Sequence, residues 1–103
     1  MEVNAMGVAD RVPAADRLSI ELSRSVNHLI RELVAARQRR GLKPVDVARA
    51  MGVDRSVVTR FESGGTNPTM ATINRYAEAV GVMIRYTVET TGVPHDLLPR
   101  TPC

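Results

Sequence analysis

The sequence predicts an all-α fold of four to five helices followed by a single β-strand. Apolar residues recur at three- and four-residue spacing from residue 16 to residue 80, and glycines interrupt this pattern. Beyond Gly81 the spacing shortens to two residues, which is the period of a strand. A chain of 103 residues is long enough for one domain with a single modest core.

Residues 1–15 are predicted to form a flexible N-terminal arm, because they contain Gly7 and Pro13 and show no period. A helical pattern follows, and neither proline nor glycine interrupts it before Gly41. Its apolar residues are Leu18, Leu22, Val26, Leu29, Ile30, Leu33, Val34 and Ala36. The pattern fits one long helix or two consecutive helices that break near Ser23 to Ser25.

Two short helices are predicted next. Pro44 suits the first turn of a helix over residues 44 to 51, which Gly52 ends. Asp54 is expected to cap a helix over residues 55 to 62, with its carboxylate accepting hydrogen bonds from backbone N–H groups.

A fourth helix is predicted after a turn at Asn67-Pro68. Thr69 is a good N-cap residue, and helical spacing continues to about Val80. The inward-facing residues of this helix are Met70, Ile73, Tyr76, Ala77 and Val80. Residues 16–81 are therefore predicted to form one helical domain.

The segment VMIRYTVE, from residue 82 to residue 89, predicts a strand over residues 82–90, because alternate side chains are apolar. A lone strand leaves its backbone unpaired, so we expect it to pair with the same strand of a second copy across a two-fold axis. The residues expected in this dimer contact are Val82, Ile84, Tyr86 and Val88. Leu18 and Leu22 are further candidates for that contact, whereas pairing with the N-terminal arm through Val3 is the alternative.

Residues 91–103 contain three prolines and are predicted to be a flexible tail.

Composition argues against several classes of protein. No apolar run approaches the roughly 18 residues of a membrane helix, and the N-terminus lacks the apolar core of a signal peptide. Cys103 is the only cysteine, and neither His28 nor His95 has a partner at metal-site or triad spacing. We therefore expect a soluble cytoplasmic protein with no membrane contact, no catalytic residues, no metal and no cofactor.

Positive charge is concentrated in one block of the sequence. Nine basic and three acidic residues lie between Arg24 and Arg60, a formal balance of +6, and the remainder sums to −3. Such a block suggests a polyanionic partner, although a solvated charged face explains the charge equally well.

Residues 44 to 62 combine small and apolar residues in a specific order. Ala48 fits a close crossing of two helices, and Gly52 fits a tight turn that needs a positive φ. Val58 and Phe61 are expected to be buried in the angle between the two helices.

The stretches LVAARQRRGLKPVDVARAMGVDRSVVTRFESG and NPTMATINRYAEAVG resemble the Cro/phage-repressor type of helix-turn-helix. This group is also called the xenobiotic-response-element family of bacterial transcriptional regulators. The resemblance runs from about Ile30 to Gly81 and implies a lambda-repressor-like helix-turn-helix bundle. It also implies binding to double-stranded DNA, and hence a nucleoid-associated protein of a bacterium or phage.

Carried over from that family, the third helix reads base edges in the major groove. The implied reading residues are Arg55, Ser56, Thr59 and Arg60. Arginine binds guanine O6 and N7 bidentately, whereas serine and threonine bind either base or touch a thymine methyl group. The alternative is an ordinary solvated helix face.

The family also commonly pairs an arginine near the end of the first helix with a glutamate at the end of the third. Here this implies a structural ion pair between Arg37 and Glu62. A carboxylate at a helix C-terminus by itself suggests a cationic partner, because the helix dipole disfavours it. The alternative is two unrelated surface charges.

One departure from the family concerns contacts to phosphate. The family usually carries Thr/Ser-Gln where this chain has Lys43-Pro44, and Pro44 has neither an N–H group nor a polar side chain. Arg39, Arg40 and Lys43 are therefore expected to neutralise phosphates instead. Asn67 is a further candidate for a backbone contact, unless it serves only the turn.

These features together predict a dimeric transcription regulator, a repressor whose helix 55–62 reads a palindromic operator. A subcase is an antitoxin that regulates its own operon and clasps a cognate toxin with its N-terminal segment and tail. The alternative is a protein-interaction or coactivator module that keeps the fold without binding an operator.

Overall fold

The computed structural model describes residues 14–97, which contain four α-helices and one short 3₁₀ turn. The helices are α1 (Ala14–Arg39), α2 (Pro44–Met51), α3 (Arg55–Ser63) and α4 (Met70–Val80), and the 3₁₀ turn is His95–Leu97. The predicted all-α bundle is confirmed for this part of the chain, and α1 continues without a break through Ser23 to Ser25. Val3, residues 1–13 of the predicted arm and the tail beyond Leu97 lie outside the described residues.

The chain divides into two compact units, and the helical bundle lies in the unit Val26–Thr87. Within the other unit, the described residues are the first turns of α1 and the segment from Val88 to Leu97. Those turns of α1 expose Leu22, and an exposed ion pair joins Arg24 to Glu21 at 3.0 Å.

The core of the bundle is built by apolar residues from all four helices. Its buried members are Ile30, Leu33, Ala36, Val47, Ala48, Val58, Phe61, Ile73, Tyr76, Ala77 and Val80. Ala48, Val58 and Phe61 are thus buried as the sequence predicted, and α2 packs against both α3 and α4. This burial fixes the inner face of α3 and leaves its outer face to solvent. Met70, predicted to face inward, is 54% exposed at the first position of α4, so that prediction is wrong.

The turn between α2 and α3 depends on Gly52. Its φ is +72°, the left-handed conformation that glycine adopts without steric cost, so the predicted positive φ is confirmed. The Gly52 N–H donates to the carbonyl of Arg49 at 3.2 Å, and the Val53 N–H donates to that of Ala48 at 3.0 Å. These bonds end α2 and set the direction in which α3 departs.

The two predicted N-caps have different outcomes. The hydroxyl of Thr69 accepts from the Thr72 N–H at 3.1 Å, as expected of a capping residue. Asp54 occupies the N-cap position of α3, but its side chain makes no capping bond, so that prediction is wrong. Its Oδ2 accepts from the hydroxyl of Ser56 at 3.2 Å instead, because this neighbouring donor competes with the backbone N–H groups.

The predicted strand over residues 82–90 is wrong for the single chain, because these residues form no regular secondary structure. Val82 and Ile84 do pack against the core, while Met83 between them is 79% exposed. The alternation of apolar residues therefore matches inward-facing side chains only at Val82 and Ile84, because Tyr86 is 50% and Val88 96% exposed. A strand also needs a hydrogen-bonded neighbour, and none lies within the described part of the chain.

Two further observations apply to residues 14–97 alone. No helix there is both long and apolar enough to cross a membrane. No group of three or more His, Cys, Asp or Glu side chains there is placed to hold a metal ion.

Candidate nucleic-acid interface

The outer face of α3 presents the four residues predicted to read bases. Arg55 and Thr59 are four residues apart, as are Ser56 and Arg60, so the two pairs form adjacent rows on the side of α3 away from Val58 and Phe61. The structure leaves all four outer side chains exposed: Arg55, Ser56, Thr59 and Arg60. They form a continuous polar surface on a helix of nine residues.

Several of these side chains are hydrogen-bonded to the preceding turn of α3. The hydroxyl of Thr59 donates to the carbonyl of Arg55 at 3.1 Å, and Nε of Arg60 donates to that of Ser56 at 3.4 Å. The hydroxyl of Ser56 donates to Asp54, as described above. The hydroxyl protons of Thr59 and Ser56 are therefore already engaged, and only the oxygen lone pairs of these hydroxyls stay free for a ligand.

An ion pair between Arg37 and Glu62 joins α1 to the C-terminal end of α3, as the sequence predicted. Nε of Arg37 donates to Glu62 Oε2 at 2.7 Å, and its Nη2 donates to Oε1 at 3.1 Å. The remaining nitrogen, Nη1, donates to the carbonyl of Leu42 at 2.7 Å. The two side chains are only 10% and 12% exposed, so this bidentate pair lies largely out of water.

Tyr76 of α4 is the third member of this cluster. Its hydroxyl donates to Glu62 Oε2 at 2.5 Å, and its ring stacks on Phe61 with 4.6 Å between centroids. From the sequence, Tyr76 is assigned only to the core stripe of α4. A buried tyrosine must still find a partner for its hydroxyl, and that requirement is the signal that points to a polar neighbour. Arg37, Glu62 and Tyr76, called here the anchor cluster, thus join α1, α3 and α4.

Electrostatics within the anchor cluster fix its protonation at neutral pH. Burial raises the pKa of the Tyr76 hydroxyl, and the hydrogen bond to the Glu62 carboxylate raises it further. Burial on its own lowers the pKa of Arg37, but the hydrogen bond and charge of Glu62 outweigh this, and the net direction is upward. Arg37 is therefore charged and Tyr76 is protonated when the protein meets a ligand.

The residues predicted to contact phosphates lie at different places. Lys43 is exposed at the start of α2, where its backbone N–H donates to the carboxylate of Asp46 at 2.8 Å. Arg40 lies beside Gly81, since a Cβ built on that glycine would be 3.5 Å from the guanidinium carbon. The dipole of α4 favours a cation at that end. The guanidinium of Arg40 thus lies next to the C-terminus of α4.

The other two predicted phosphate contacts lie in separate grooves. Arg39 lines a groove of about 440 Å³ between α1 and the segment that follows α4. Asn67 lines a shallow groove of about 240 Å³ beside α3, together with Arg60 and Phe61. Of the two, Asn67 is the one that adjoins the outer face of α3.

Two helices that cross at a three-residue turn, with the second exposing a polar face, define the class of helix-turn-helix proteins. A family model described as a helix-turn-helix domain matches residues 28–85, and the chain belongs to this family. The match spans the anchor cluster and all four predicted reading residues. The family membership predicted from the sequence is confirmed.

The chain is also similar to curated proteins named Antitoxin HigA1, from two strains of Mycobacterium tuberculosis. Each is 32% identical over 71 residues, which is 69% of this chain and 48% of the relative. The chain therefore spans about half the length of these relatives. No solved structure matches it significantly. The family match supports a DNA-binding regulator of the helix-turn-helix class.

Proposed function

We propose that this protein is a sequence-specific repressor whose α3 reads the major groove of a palindromic operator. The observation that carries the proposal is an exposed polar face on a helix that the largely buried anchor cluster joins to α1 and α4. A reading helix must present its side chains in a fixed geometry, and a largely buried bidentate ion pair provides such support. Membership of the helix-turn-helix family supports DNA as the ligand.

The proposed base contacts are made by Arg55, Ser56, Thr59 and Arg60. Contacts to the DNA backbone are proposed for Lys43 at the start of α2 and Asn67 beside α3. Arg39 and Arg40 add positive charge to the domain, which attracts the polyanion from a distance. Arg37 and Glu62 are proposed to position α3 and to make no base contact.

We propose that the repressor acts as a homodimer. Two of the four predicted contact residues support this proposal, since Tyr86 is 50% exposed and Val88 96%, whereas Val82 and Ile84 pack against the core of their own chain. Pairing of two copies along this segment covers Tyr86 and Val88 and provides the neighbour that the predicted strand lacks in one chain. A two-fold dimer places two copies of α3 at half-sites about 34 Å apart. Sedimentation equilibrium tests the dimer, and a monomer at micromolar concentration contradicts it.

The antitoxin subcase is the specific role that we propose within this class. The similarity to proteins named antitoxin supports a cognate toxin as a second partner, together with repression of the shared operon. Such a regulator acts in the cytoplasm, at the bacterial nucleoid. Copurification of the full chain with the product of a neighbouring gene tests this role, and a chain that purifies alone from its native host contradicts it.

Selection of bound duplexes from random DNA, followed by a salt titration, tests the DNA-binding proposal. Log K should fall with log[salt] by about 0.9 for each phosphate neutralised. The double variant Arg55→Ala with Arg60→Ala should weaken binding to the selected duplex at least thirtyfold, since each bidentate arginine contact contributes about 1–3 kcal/mol.

The matched control is Arg17→Ala with Arg24→Ala, which removes the same charge from the first turns of α1. It should change the affinity by less than about threefold at moderate salt. A flat salt response, or equal affinity for all duplexes, would indicate a protein-interaction module on this fold. Equal losses in both double variants would show that net charge, and not the outer face of α3, governs binding.

A further inference from the structure

The hydroxyl of Thr59 is directed toward its own helix. It donates to the carbonyl of Arg55, four residues earlier, at 3.1 Å. Threonine in a helix commonly makes this bond, which fixes the side-chain rotamer. The proton of the Thr59 hydroxyl is therefore already used before any DNA arrives.

This rotamer also decides where the methyl group of Thr59 lies. Oγ1 and Cγ2 occupy staggered positions about 120° apart on the same Cβ, so the methyl group is directed away from the Arg55 carbonyl. Thr59 is exposed, and its neighbours on the outer face are the polar residues Arg55, Ser56 and Arg60. The methyl group is thus an apolar point within an otherwise polar reading surface.

Among the four bases, only thymine presents a methyl group in the major groove. We propose that Thr59 selects thymine through contact between its Cγ2 and the 5-methyl group of the base. The inference rests on the proposed function, and it specifies one base of the operator that α3 reads. The proton of the Thr59 hydroxyl is not part of this recognition, because it keeps its bond to the Arg55 carbonyl.

The position of this thymine relative to the other contacts follows from helix geometry. Thr59 lies four residues after Arg55, a rise of about 6 Å along α3. Neighbouring bases on one strand are about 3.4 Å apart. The selected thymine therefore lies within about two base pairs of the guanine that Arg55 reads.

The test begins with selection of duplexes from a random library by the full-length protein. In the enriched duplex, the thymine nearest the arginine-read guanine is then replaced by deoxyuridine in one half-site, which removes only the methyl group. The wild-type protein should bind the substituted duplex about fourfold more weakly, as expected for one buried methyl group.

Two variants separate the methyl group of Thr59 from its hydroxyl. Thr59→Val keeps the methyl group, so it should retain the fourfold sensitivity to deoxyuridine. Thr59→Ser keeps the hydroxyl alone, so it should bind the two duplexes equally. Position 59 is exposed, and circular dichroism at matched concentration checks that both variants are folded.

Each outcome has a definite meaning. Sensitivity that survives in Thr59→Val and disappears in Thr59→Ser supports the proposal. The opposite pattern, or an enriched duplex without thymine at this place, overturns it while leaving sequence-specific binding intact. A library that yields no enriched sequence overturns the proposed function and this inference together.

Discussion

Replacement of Glu62 by glutamine is expected to lower the free energy of unfolding by about 3 kcal/mol. The change removes one negative charge and keeps the shape of the side chain. All three guanidinium nitrogens of Arg37 are bonded, two of them to Glu62 at 2.7 and 3.1 Å. Without the carboxylate, the Arg37 charge stays in a site where its side chain is 10% exposed.

The magnitude follows from the burial of this pair. Loss of one partner from a buried ion pair costs about 3–5 kcal/mol, because the other charge remains desolvated. Both Arg37 and Glu62 keep about a tenth of their exposure, so the lower end of that range applies. The glutamine oxygen still accepts one hydrogen bond, either from Arg37 or from Tyr76, which also favours the lower value.

Urea denaturation followed by far-ultraviolet circular dichroism measures this effect. With a slope of about 1–3 kcal/mol per molar urea, the midpoint should fall by about 1–3 M. Glu21→Gln is the matched control, since Glu21 pairs with Arg24 at 3.0 Å but both side chains are more than 60% exposed. This control should cost less than about 1 kcal/mol.

Similar losses of stability in Glu62→Gln and Glu21→Gln would contradict this prediction. Equal losses would mean that burial does not set the strength of the Arg37–Glu62 pair. A loss below about 1 kcal/mol in Glu62→Gln alone would mean that water reaches the Arg37 charge in solution.

Three further predictions concern stability and are measured by the same urea titrations. Because burial raises the pKa of Tyr76 above its unfolded value of 10.0, the stability it confers is complete below pH 10. Above pH 10 that stability should decline by up to about 1.4 kcal/mol per pH unit. The prediction is contradicted if the free energy of unfolding of a Tyr76→Phe variant declines with pH as steeply as that of the wild type. A Cβ added at Gly52 or at Gly92 meets no atom within 4 Å. Gly52→Ala should still lower the free energy of unfolding by about 1 kcal/mol because of the positive φ, whereas Gly92→Ala should be neutral. Thr69→Ala should cost about 1 kcal/mol and Asp54→Ala less than half of that, since only Thr69 makes a capping bond; equal costs would refute this.

Much of the fold was predictable because helix period and glycine position are local signals. The bounds of α2, α3 and α4 follow from residues such as Pro44, Gly52 and Thr69, each of which acts within its own turn. The missing cap at Asp54 was not predictable from residue preference alone, because the outcome depends on competition with the hydroxyl of Ser56. The predicted strand failed for a related reason, since pairing requires a second segment of chain.

The candidate site was predictable where the family resemblance supplied the contact. Arg37 and Glu62 are 25 residues apart, and no periodicity relates them. The hydroxyl contact of Tyr76 was missed because an inward position in α4 indicates burial without indicating a polar partner. The position of Arg40 beside Gly81 depends on side-chain direction at a helix end, which spacing does not determine.

The anchor cluster also orders events during synthesis of the chain. Its members stand at positions 37, 62 and 76, so α2 and α3 leave the ribosome before the last member does. A nascent chain that ends before Tyr76 lacks the hydroxyl that binds Glu62 and the ring that stacks on Phe61. Because contacts distant in sequence form only after the later segment has emerged, α3 gains its contacts with α4 late in translation. A chain that ends before Tyr76 therefore contains every residue proposed to read DNA but lacks the contacts that join α3 to α4.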